Sequence, residues 1–350
     1  MKSILILMDD YRRFSNSRVK PGGIDANILV DLFSKKGYHA QSMTLMEIDW
    51  DEDFSNTVVL YPSSELPGLF YKGFIEDIIL RLRNKGALLL PDFIYFRAHH
   101  NKVFMEFLRQ DFNNEELKSI SSLCFGSVKG LLDVRGEECL KFPLVLKPSA
   151  GTGSSGVTKI DDMKHLIKTV RRITSVRLRS FQFTIFNPKE LIYKVKRAVN
   201  KILRKNQGYP RISDKFILQT FIPNLLGDYK VLVFGQKYYP LFRLNRKSNF
   251  TASGSGKFSF PELNVELEKV LNFAKLAYEE INTPVISLDI GFDGNKCHLI
   301  EFQCLSFGPA ALELSPGWFL NDGKWVFIQG NSILEDEYVM AVDYWLINNA

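Results

Sequence analysis

Two hydrophobic patterns alternate along the first 95 residues of the chain. The apolar runs in SILILM, TVVLYPSS and ALLLPDF have the length of buried strands. Between them, residues 22–37 and 70–86 place apolar residues at helical spacing, and each segment ends at a glycine that can stop a helix. Strands that alternate with helices predict a small parallel α/β domain.

The remaining chain is richer in strands. Residues 144–160 predict a strand, a loop of glycine and serine, and a second strand, and residues 215–246 contain three β-rich, hairpin-like stretches. A helical pattern at residues 261–282 precedes two strands, within residues 284–303, that a turn at residues 293–295 would join. The chain therefore predicts a mixed α/β and α+β fold.

Composition indicates an ordinary globular protein. Of the 350 residues, 45% are hydrophobic and 24% are charged, and no apolar run reaches the roughly 18 residues of a transmembrane helix. The N-terminal MKSILILMDDYRR lacks the small-residue cleavage site of a signal peptide, so it predicts a core strand. Four cysteines without a CxxC spacing indicate a reducing compartment, and we expect a cytoplasmic protein.

The formal net charge of +6 is concentrated in one segment, because residues 161–215 contain fifteen Lys or Arg against four Asp or Glu. Within it, residues 189–205 combine an apolar stripe with a basic face, which predicts an amphipathic helix. Such a helix either binds an acidic partner or an anionic membrane surface, or packs on its own domain with solvated charges. Nucleic-acid binding is not expected, because no recognised motif of interleaved aromatic residues is present.

Lys147 ends a predicted strand and precedes a loop of glycine, serine and threonine. Glycines allow backbone N–H groups to approach an anion closely, and the lysine adds a positive charge beside them. The lysine precedes the glycines, so this is not a Walker A loop, and no GxGxxG opens a helix here. The loop is either a phosphate cover or a flexible hairpin.

Two carboxylates and an amide lie in the predicted strand pair at residues 284–303. Glu301 and Gln303 are two residues apart and therefore point to the same face of a strand. The predicted turn can bring Asp289 near that face. The three side chains either form a hard-oxygen site suited to Mg²⁺, or one acid caps a turn while the others face water. A glutamate in the otherwise apolar HLIEFQ is costly without a partner.

Three arginines and a second glycine-rich loop complete the candidate residues. Arg243, on a predicted strand, either stabilises charge on a transferred phosphoryl group or forms an ordinary surface salt bridge. Ser253 and Gly254 lie in the loop after it, which either binds a substrate or simply forms a turn. Arg12 and Arg13 follow the first strand, at the end where α/β sheets often bind ligands. They either recognise an acidic or phosphorylated substrate or are simply solvated.

The order of these features resembles the ATP-grasp superfamily, which includes D-alanine:D-alanine ligase, glutathione synthetase and ribosomal-protein glutamate ligases. The resemblance covers roughly residues 90–320. It implies an N-terminal α/β domain over residues 1–97 and two ATP-grasp subdomains over residues 98–220 and 221–350. It also implies that ATP is bound by Lys102, Lys147, Ser149, Gly151, Gly153, Ser154, Ser155, Gly156, Gln219, Thr220, Phe221, Ile222 and Asp228.

The same resemblance assigns catalysis to Arg243 and Lys147, and magnesium binding to Asp289, Glu301 and Gln303. The chain departs from the family's pattern at three places. Gln219 and Thr220 stand where the family often has a glutamate. Lys230 replaces the commoner arginine, and Gln303 stands where many members carry asparagine.

The implied reaction is a ligation. ATP phosphorylates a carboxylate to an acyl phosphate, and an amine then attacks it to give an amide, ADP and phosphate. The two substrates are a small-molecule, peptide or glycan carboxylate and an amine. Three alternatives are an ATP-grasp kinase that phosphorylates a hydroxyl group, a nucleotide-binding protein without turnover, and an unrelated basic binding module.

Overall fold

The computed structural model of the chain describes residues 3–14, 23–64, 69–133, 140–151, 154, 156–174, 215–246, 250–252 and 256–349. Its strands form one parallel sheet, near the N-terminus, and two antiparallel sheets. The predicted mixed α/β and α+β class is therefore confirmed. Over these ranges, none of the helices combines the length and the apolar character that a bilayer span requires.

The first sheet has the strand order β2–β1–β3–β4 and is parallel throughout. Its elements are β1 (Ser3–Met8), α1 (Ala26–Lys35), β2 (His39–Thr44), a 3₁₀ turn (Leu45–Glu47), β3 (Thr57–Leu60), α2 (Phe70–Asn84) and β4 (Leu88–Leu90). Helix α1 begins where the Asp25 carboxylate accepts the Asn27 backbone N–H. Gly37, with a φ of 89°, follows its end.

The second sheet has the order β5–β8–β6–β7 and is antiparallel. The elements of this part are α3 (Phe93–His100), α4 (Lys102–Gln110), a 3₁₀ turn (Glu115–Lys118), β5 (Ser122–Phe125), α5 (Val128–Asp133), β6 (Leu144–Pro148), β7 (Thr158–Ile160), α6 (Met163–Thr174) and β8 (Phe216–Thr220). Leu166 and Val170 of α6 share a buried cluster with Leu146 and Leu218 of the sheet. The predicted basic helix at residues 189–205 lies outside the described residues.

The third sheet has the order β13–β12–β9–β10–β14–β15, with β11 paired to β10, and is antiparallel. Its elements are β9 (Gly227–Phe234), β10 (Lys237–Leu244), β11 (Phe258–Ser259), α7 (Val265–Ile281), β12 (Val285–Phe292), β13 (Cys297–Gln303), α8 (Ala310–Glu313), β14 (Gly317–Asn321), β15 (Trp325–Gln329) and α9 (Leu334–Asn349). Strands β9 and β10 form the expected hairpin, whereas β8 joins the second sheet.

The third sheet is buried on both faces. Val231 of β9 shares a hydrophobic cluster with Leu267 of α7. Its neighbour Leu232 points to the opposite face and belongs to a cluster with Ile6 of β1 and Val342 of α9. Packing against the first sheet therefore covers part of this second face. The predicted domain boundaries after residues 97 and 220 stay predictions.

Candidate active site

A polar patch extends across strands β9, β10, β12 and β13 of the third sheet. Asp228 and Lys230 alternate along β9, so both point to the same face. The register places Arg243 of β10 opposite Asp228, and Asp289 of β12 opposite Lys230. Glu301 of β13 lies opposite Asp289. Opposite residues of an antiparallel pair share a face, so these five side chains form the polar patch.

Arg243 and Lys230 join the aspartates of the polar patch. Arg243 Nε donates to Asp228 Oδ1 at 2.6 Å, and its Nη2 lies 2.8 Å from Asp289 Oδ2. Lys230 Nζ lies 3.2 Å from the other Asp289 oxygen and donates to Ser287 Oγ at 2.7 Å. The Arg243 and Asp228 side chains are only 13% and 10% exposed. Because little water screens these charges, the network orients the guanidinium firmly.

The two aspartates have opposite pKa shifts. Burial and the negative charge of Asp289 raise the pKa of Asp228 to about 6, in spite of its bond to Arg243. Burial also opposes the ionisation of Asp289, but Arg243 and Lys230 outweigh it and hold the pKa of Asp289 well below its usual range. Asp289 is therefore ionised at neutral pH, as a metal ligand must be.

A β-bulge adjoins the predicted metal ligands. The register between β12 and β13 shifts directly after Asp289, and Ile300 is the extra residue. Bulges often occur next to active sites, where they redirect a side chain. Glu301 and Gln303 follow the bulge on one face, and Gln303 lies opposite Ser287.

The donor set on these strands fits magnesium. Asp289 and Glu301 supply two carboxylates on neighbouring strands, and Gln303 supplies an amide oxygen. Within the described part of the chain, no group of three His, Cys, Asp or Glu side chains is placed to hold a metal. Mg²⁺ usually takes one or two carboxylates and completes its octahedron with water and phosphate oxygens. This set therefore suits a metal–nucleotide complex, and the assignment of the ligands stays a prediction.

Lys102 reaches the polar patch from the N-terminus of α4, where its Nζ donates to Glu301 Oε1 at 2.9 Å. Ser149 fixes the backbone there. Its carbonyl accepts the Lys102 N–H at 2.8 Å, and its Oγ donates to Asn101 Oδ1 at 2.9 Å. Asn101 caps α4 by accepting the Phe104 N–H. Since Ser149 directly follows β6, these bonds connect the second sheet to the strand that carries the predicted metal ligands.

Lys147 of β6 is buried, at 8% exposure. Burial lowers the pKa of Lys147, while the acids Glu301 and Glu106 raise it and the positive charge of Lys102 lowers it. A buried ammonium group lacks the full solvation of water, so an anion that arrives beside it gains a strong interaction. The position therefore suits a phosphate group.

The glycine loop after β6 is described only in part. Gly151 and Gly156 have φ angles of 140° and 78°, and Ser154 has a φ of 61°. These values favour glycine. A Cβ atom at position 156 would lie 2.7 Å from Pro148 Cγ, so the chain passes too closely there for a side chain. The predicted ATP contacts Gly153 and Ser155 lie outside the described residues.

The side chain of Gln219, predicted to contact ATP, is engaged in a buried network. Gln219 is 2% exposed, and its Nε2 donates to Glu106 Oε1 at 2.7 Å. Glu106 also forms an ion pair with Arg109, whose Nη2 donates to the Ile120 carbonyl at 2.8 Å. Thr220, the next residue of β8, is exposed. An adenine contact at this strand would therefore come from the backbone or from Thr220.

Phe221 and Ile222, which follow β8, are half-buried. The Phe221 ring packs edge-on against Phe250 at 5.8 Å and lies 4.9 Å from Lys159 Nζ. Their contact with a nucleotide stays a prediction.

Sequence reasoning missed Glu106 and Arg109 of α4. Together with Lys102 they follow the spacing i, i+4, i+7, which places them on one face of the helix. Charged side chains on a face that packs against a sheet are costly unless they are paired. This spacing was the signal that could have revealed the network.

The predicted substrate-binding arginines pair within the N-terminal part. Arg13 Nε donates to Asp9 Oδ2 at 3.2 Å, and Asp9, 3% exposed, also accepts the Arg13 backbone N–H. Arg12 pairs with Glu47 at 3.0 Å, and its side chain is 68% exposed. Ser253 and Gly254 lie outside the described residues. Substrate binding by these four residues stays a prediction.

Comparison with solved structures finds distant similarity over nearly the whole chain. The RimK domain protein ATP-grasp from Sphaerobacter thermophilus is 11% identical, covers 98% of this chain and 100% of its own, and gives a TM-score of 0.46. D-alanine–D-alanine ligase from Bacillus anthracis is 14% identical, with coverages of 99% and 97% and a TM-score of 0.47. D-cycloserine synthetase is 12% identical, with coverages of 97% and 98% and a TM-score of 0.49.

The first of these proteins is named as an ATP-grasp protein, and ATP-grasp is the superfamily that the order of the sequence motifs resembles. No protein-family model and no curated protein sequence matches the chain. At these identities and TM-scores, the similarity does not carry an activity over to this chain.

Proposed function

We propose that this protein is an ATP-dependent ligase that joins a carboxylate to an amine through an acyl phosphate and releases ADP and phosphate. The observation that carries the proposal is the 2.9 Å bond from Lys102 to Glu301. It brings a lysine anchored to the second sheet against the acids of the polar patch. Carboxylates next to fixed cations are what a metal–nucleotide complex requires, because carboxylates bind Mg²⁺ and cations bind phosphate oxygens.

Each residue of the site has a role that its chemistry allows. Magnesium would be held by Asp289, Glu301 and Gln303. When bound, Mg²⁺ would supply positive charge that offsets the charge of the phosphates. Lys102 and Lys147 would bind the phosphates of ATP as fixed cations. Arg243, already oriented by two aspartates, would stabilise charge on the transferred phosphoryl group.

The remaining assignments concern the nucleotide and the substrates. Asp228 would bind the ribose, the backbone of residues 219–222 would meet adenine, and the loop at residues 149–156 would cover the phosphates. A cover is needed because water hydrolyses acyl phosphates. Arg12, Arg13, Ser253 and Gly254 would contact the substrates.

No side-chain nucleophile is needed in this scheme. Burial raises the pKa of the Cys304 thiol well above its usual value, which makes it a weak nucleophile at neutral pH. Cys124, Cys297 and Cys304 are all free thiols. Free cysteines support the cytoplasmic location that we propose for the protein.

The test is ADP release in the presence of MgATP, with a carboxylate and an amine supplied together and singly. A ligase requires both substrates, whereas a kinase releases ADP with one hydroxyl compound alone. A non-hydrolysable ATP analogue should raise the melting temperature in a magnesium-dependent way. A rise without ADP release from any pair would indicate nucleotide binding without turnover. No rise at millimolar analogue would refute the proposed site.

A further inference from the structure

A cavity of about 40 Å³ lies between the first sheet and the third sheet. Its walls include Phe14, Tyr61, Cys304, Phe307, Leu334 and Tyr338. We call it the interface cavity. The Tyr338 ring packs edge-on against Phe14, with centroids 5.7 Å apart, and so closes one side.

A wall residue of the interface cavity directly follows a predicted metal ligand in the sequence. Tyr61 directly follows β3, and Phe14 lies in the segment after β1, so both stand at the carboxyl edge of the parallel sheet. Cys304 directly follows Gln303, the last residue of β13. Ligands of α/β sheets bind in the crevice outside the carboxyl ends of the strands. The position therefore fits a substrate subsite beside the predicted metal strand.

The walls of the interface cavity are apolar in character. Among the residues that the structure describes, those that line it are all uncharged. Tyr61 donates its hydroxyl hydrogen to the Pro91 carbonyl at 2.6 Å, and Ser306 donates to the Ser63 carbonyl at 3.4 Å. These hydroxyl groups are therefore already bonded to backbone. A charged group would lose its hydration here without a matching partner, whereas an apolar group would gain from burial.

The size of the interface cavity limits what it can hold. A cavity needs a volume of roughly 10–15 Å³ to hold one group the size of a water molecule. The interface cavity, at about 40 Å³, therefore holds about three such groups. This matches a compact aliphatic group of roughly three or four carbons and is too small for an aromatic ring. We infer that the interface cavity binds an aliphatic substituent of this size on one of the two substrates. The inference rests on the proposed ligase function.

The first experiment measures ADP release with MgATP and pairs of free amino acids, each offered as carboxylate and as amine. In one partner the side chain is varied through alanine, valine, leucine, phenylalanine, aspartate and lysine. We expect kcat/KM for valine or leucine to exceed that for alanine and phenylalanine by about tenfold or more, because one methylene in an apolar pocket changes it by roughly 10–200-fold.

The second experiment changes the cavity wall. Leu334→Ala should enlarge the interface cavity and move the preference about tenfold toward phenylalanine. Leu346→Ala is the matched control, since both leucines belong to α9 and are 4% exposed, but Leu346 does not line the cavity. Leu346→Ala should lower the melting temperature by about as much as Leu334→Ala does, but it should leave the side-chain preference in kcat/KM unchanged. If Leu334→Ala does not fold, Leu334→Val makes a smaller change of the same kind.

The outcomes separate the inference from the function on which it rests. Turnover without a side-chain preference, or a preference for aspartate or lysine, would overturn the inference and leave the ligase standing. The same shift in preference from both leucine variants would also overturn it. No ADP from any amino-acid pair, with the ATP analogue still raising the melting temperature, would refute a ligase of free amino acids and overturn the inference with it.

Discussion

The raised pKa of Asp228 predicts that this aspartate makes the protein less stable as the pH rises. In the unfolded chain an aspartate titrates near 3.8, whereas in the folded protein the pKa of Asp228 is about 6. Between these values only the folded state keeps the proton, so stability falls with increasing pH. From pH 5 to pH 7.5 the loss corresponds to about one pKa unit, or about 1.4 kcal/mol. Above that range the contribution is fully lost.

The assay is urea denaturation of the wild type and of Asp228→Asn, in chelator and without nucleotide, at several pH values from 5 to 7.5. The amide does not titrate, so the free energy of unfolding of the variant should rise by about 1.4 kcal/mol relative to the wild type across the range. Asp322→Asn, in the exposed turn after β14, is the control and should follow the wild type. A constant difference between Asp228→Asn and wild type would refute the reasoning. A difference of opposite sign would mean that Arg243 dominates the environment of Asp228.

Three further predictions concern the site. Glu301→Gln should lower ADP release by roughly 100-fold or more while the protein still melts cooperatively, and full turnover would show that Glu301 is not a metal ligand. Lys102→Met should weaken ATP-analogue binding by roughly 10–100-fold in calorimetry, whereas Lys129→Met, 79% exposed, should not. Gly156→Ala should lower the free energy of unfolding in urea by at least about 1 kcal/mol, because φ is 78° and Pro148 blocks the added methyl; an unchanged value would show that the loop relaxes.

Among the strands, hydrophobic patterns predicted best those that are buried on both sides. Strand β1 has five of six residues buried and stands out as an apolar run. Strand β2, HAQSMT, is an edge strand with one buried residue, so no pattern marks it. Strand β8 resembles β9 and β10 in composition, yet it pairs with β5 and β6. Pairing depends on contacts between distant segments, which single-strand patterns do not record.

The sequence predicted those parts of the candidate site that depend on the alternation of side chains between the two faces of a strand. Glu301 and Gln303 were expected on one face because they are two residues apart, and the register confirms that Asp289 lies beside them. The contact that the Gln219 side chain makes could not be predicted from this alternation. Its amide meets Glu106, 113 residues away in the chain, and only the folded structure brings the two together.

The charges of the site explain why metal and nucleotide would bind together. In the polar patch with Lys102, three carboxylates face three cations, so the group is close to neutral. Mg²⁺ alone would add positive charge beside Lys102 and Lys230, and ATP alone would bring its phosphates against Asp289 and Glu301. The complex of Mg²⁺ and ATP carries two fewer negative charges than ATP alone. Its metal ion would bind the carboxylates, and its phosphates would bind the cations. Because Mg²⁺ would offset the repulsion between the phosphates and the carboxylates, and the phosphates would offset the repulsion between Mg²⁺ and the lysines, each ligand should strengthen the binding of the other.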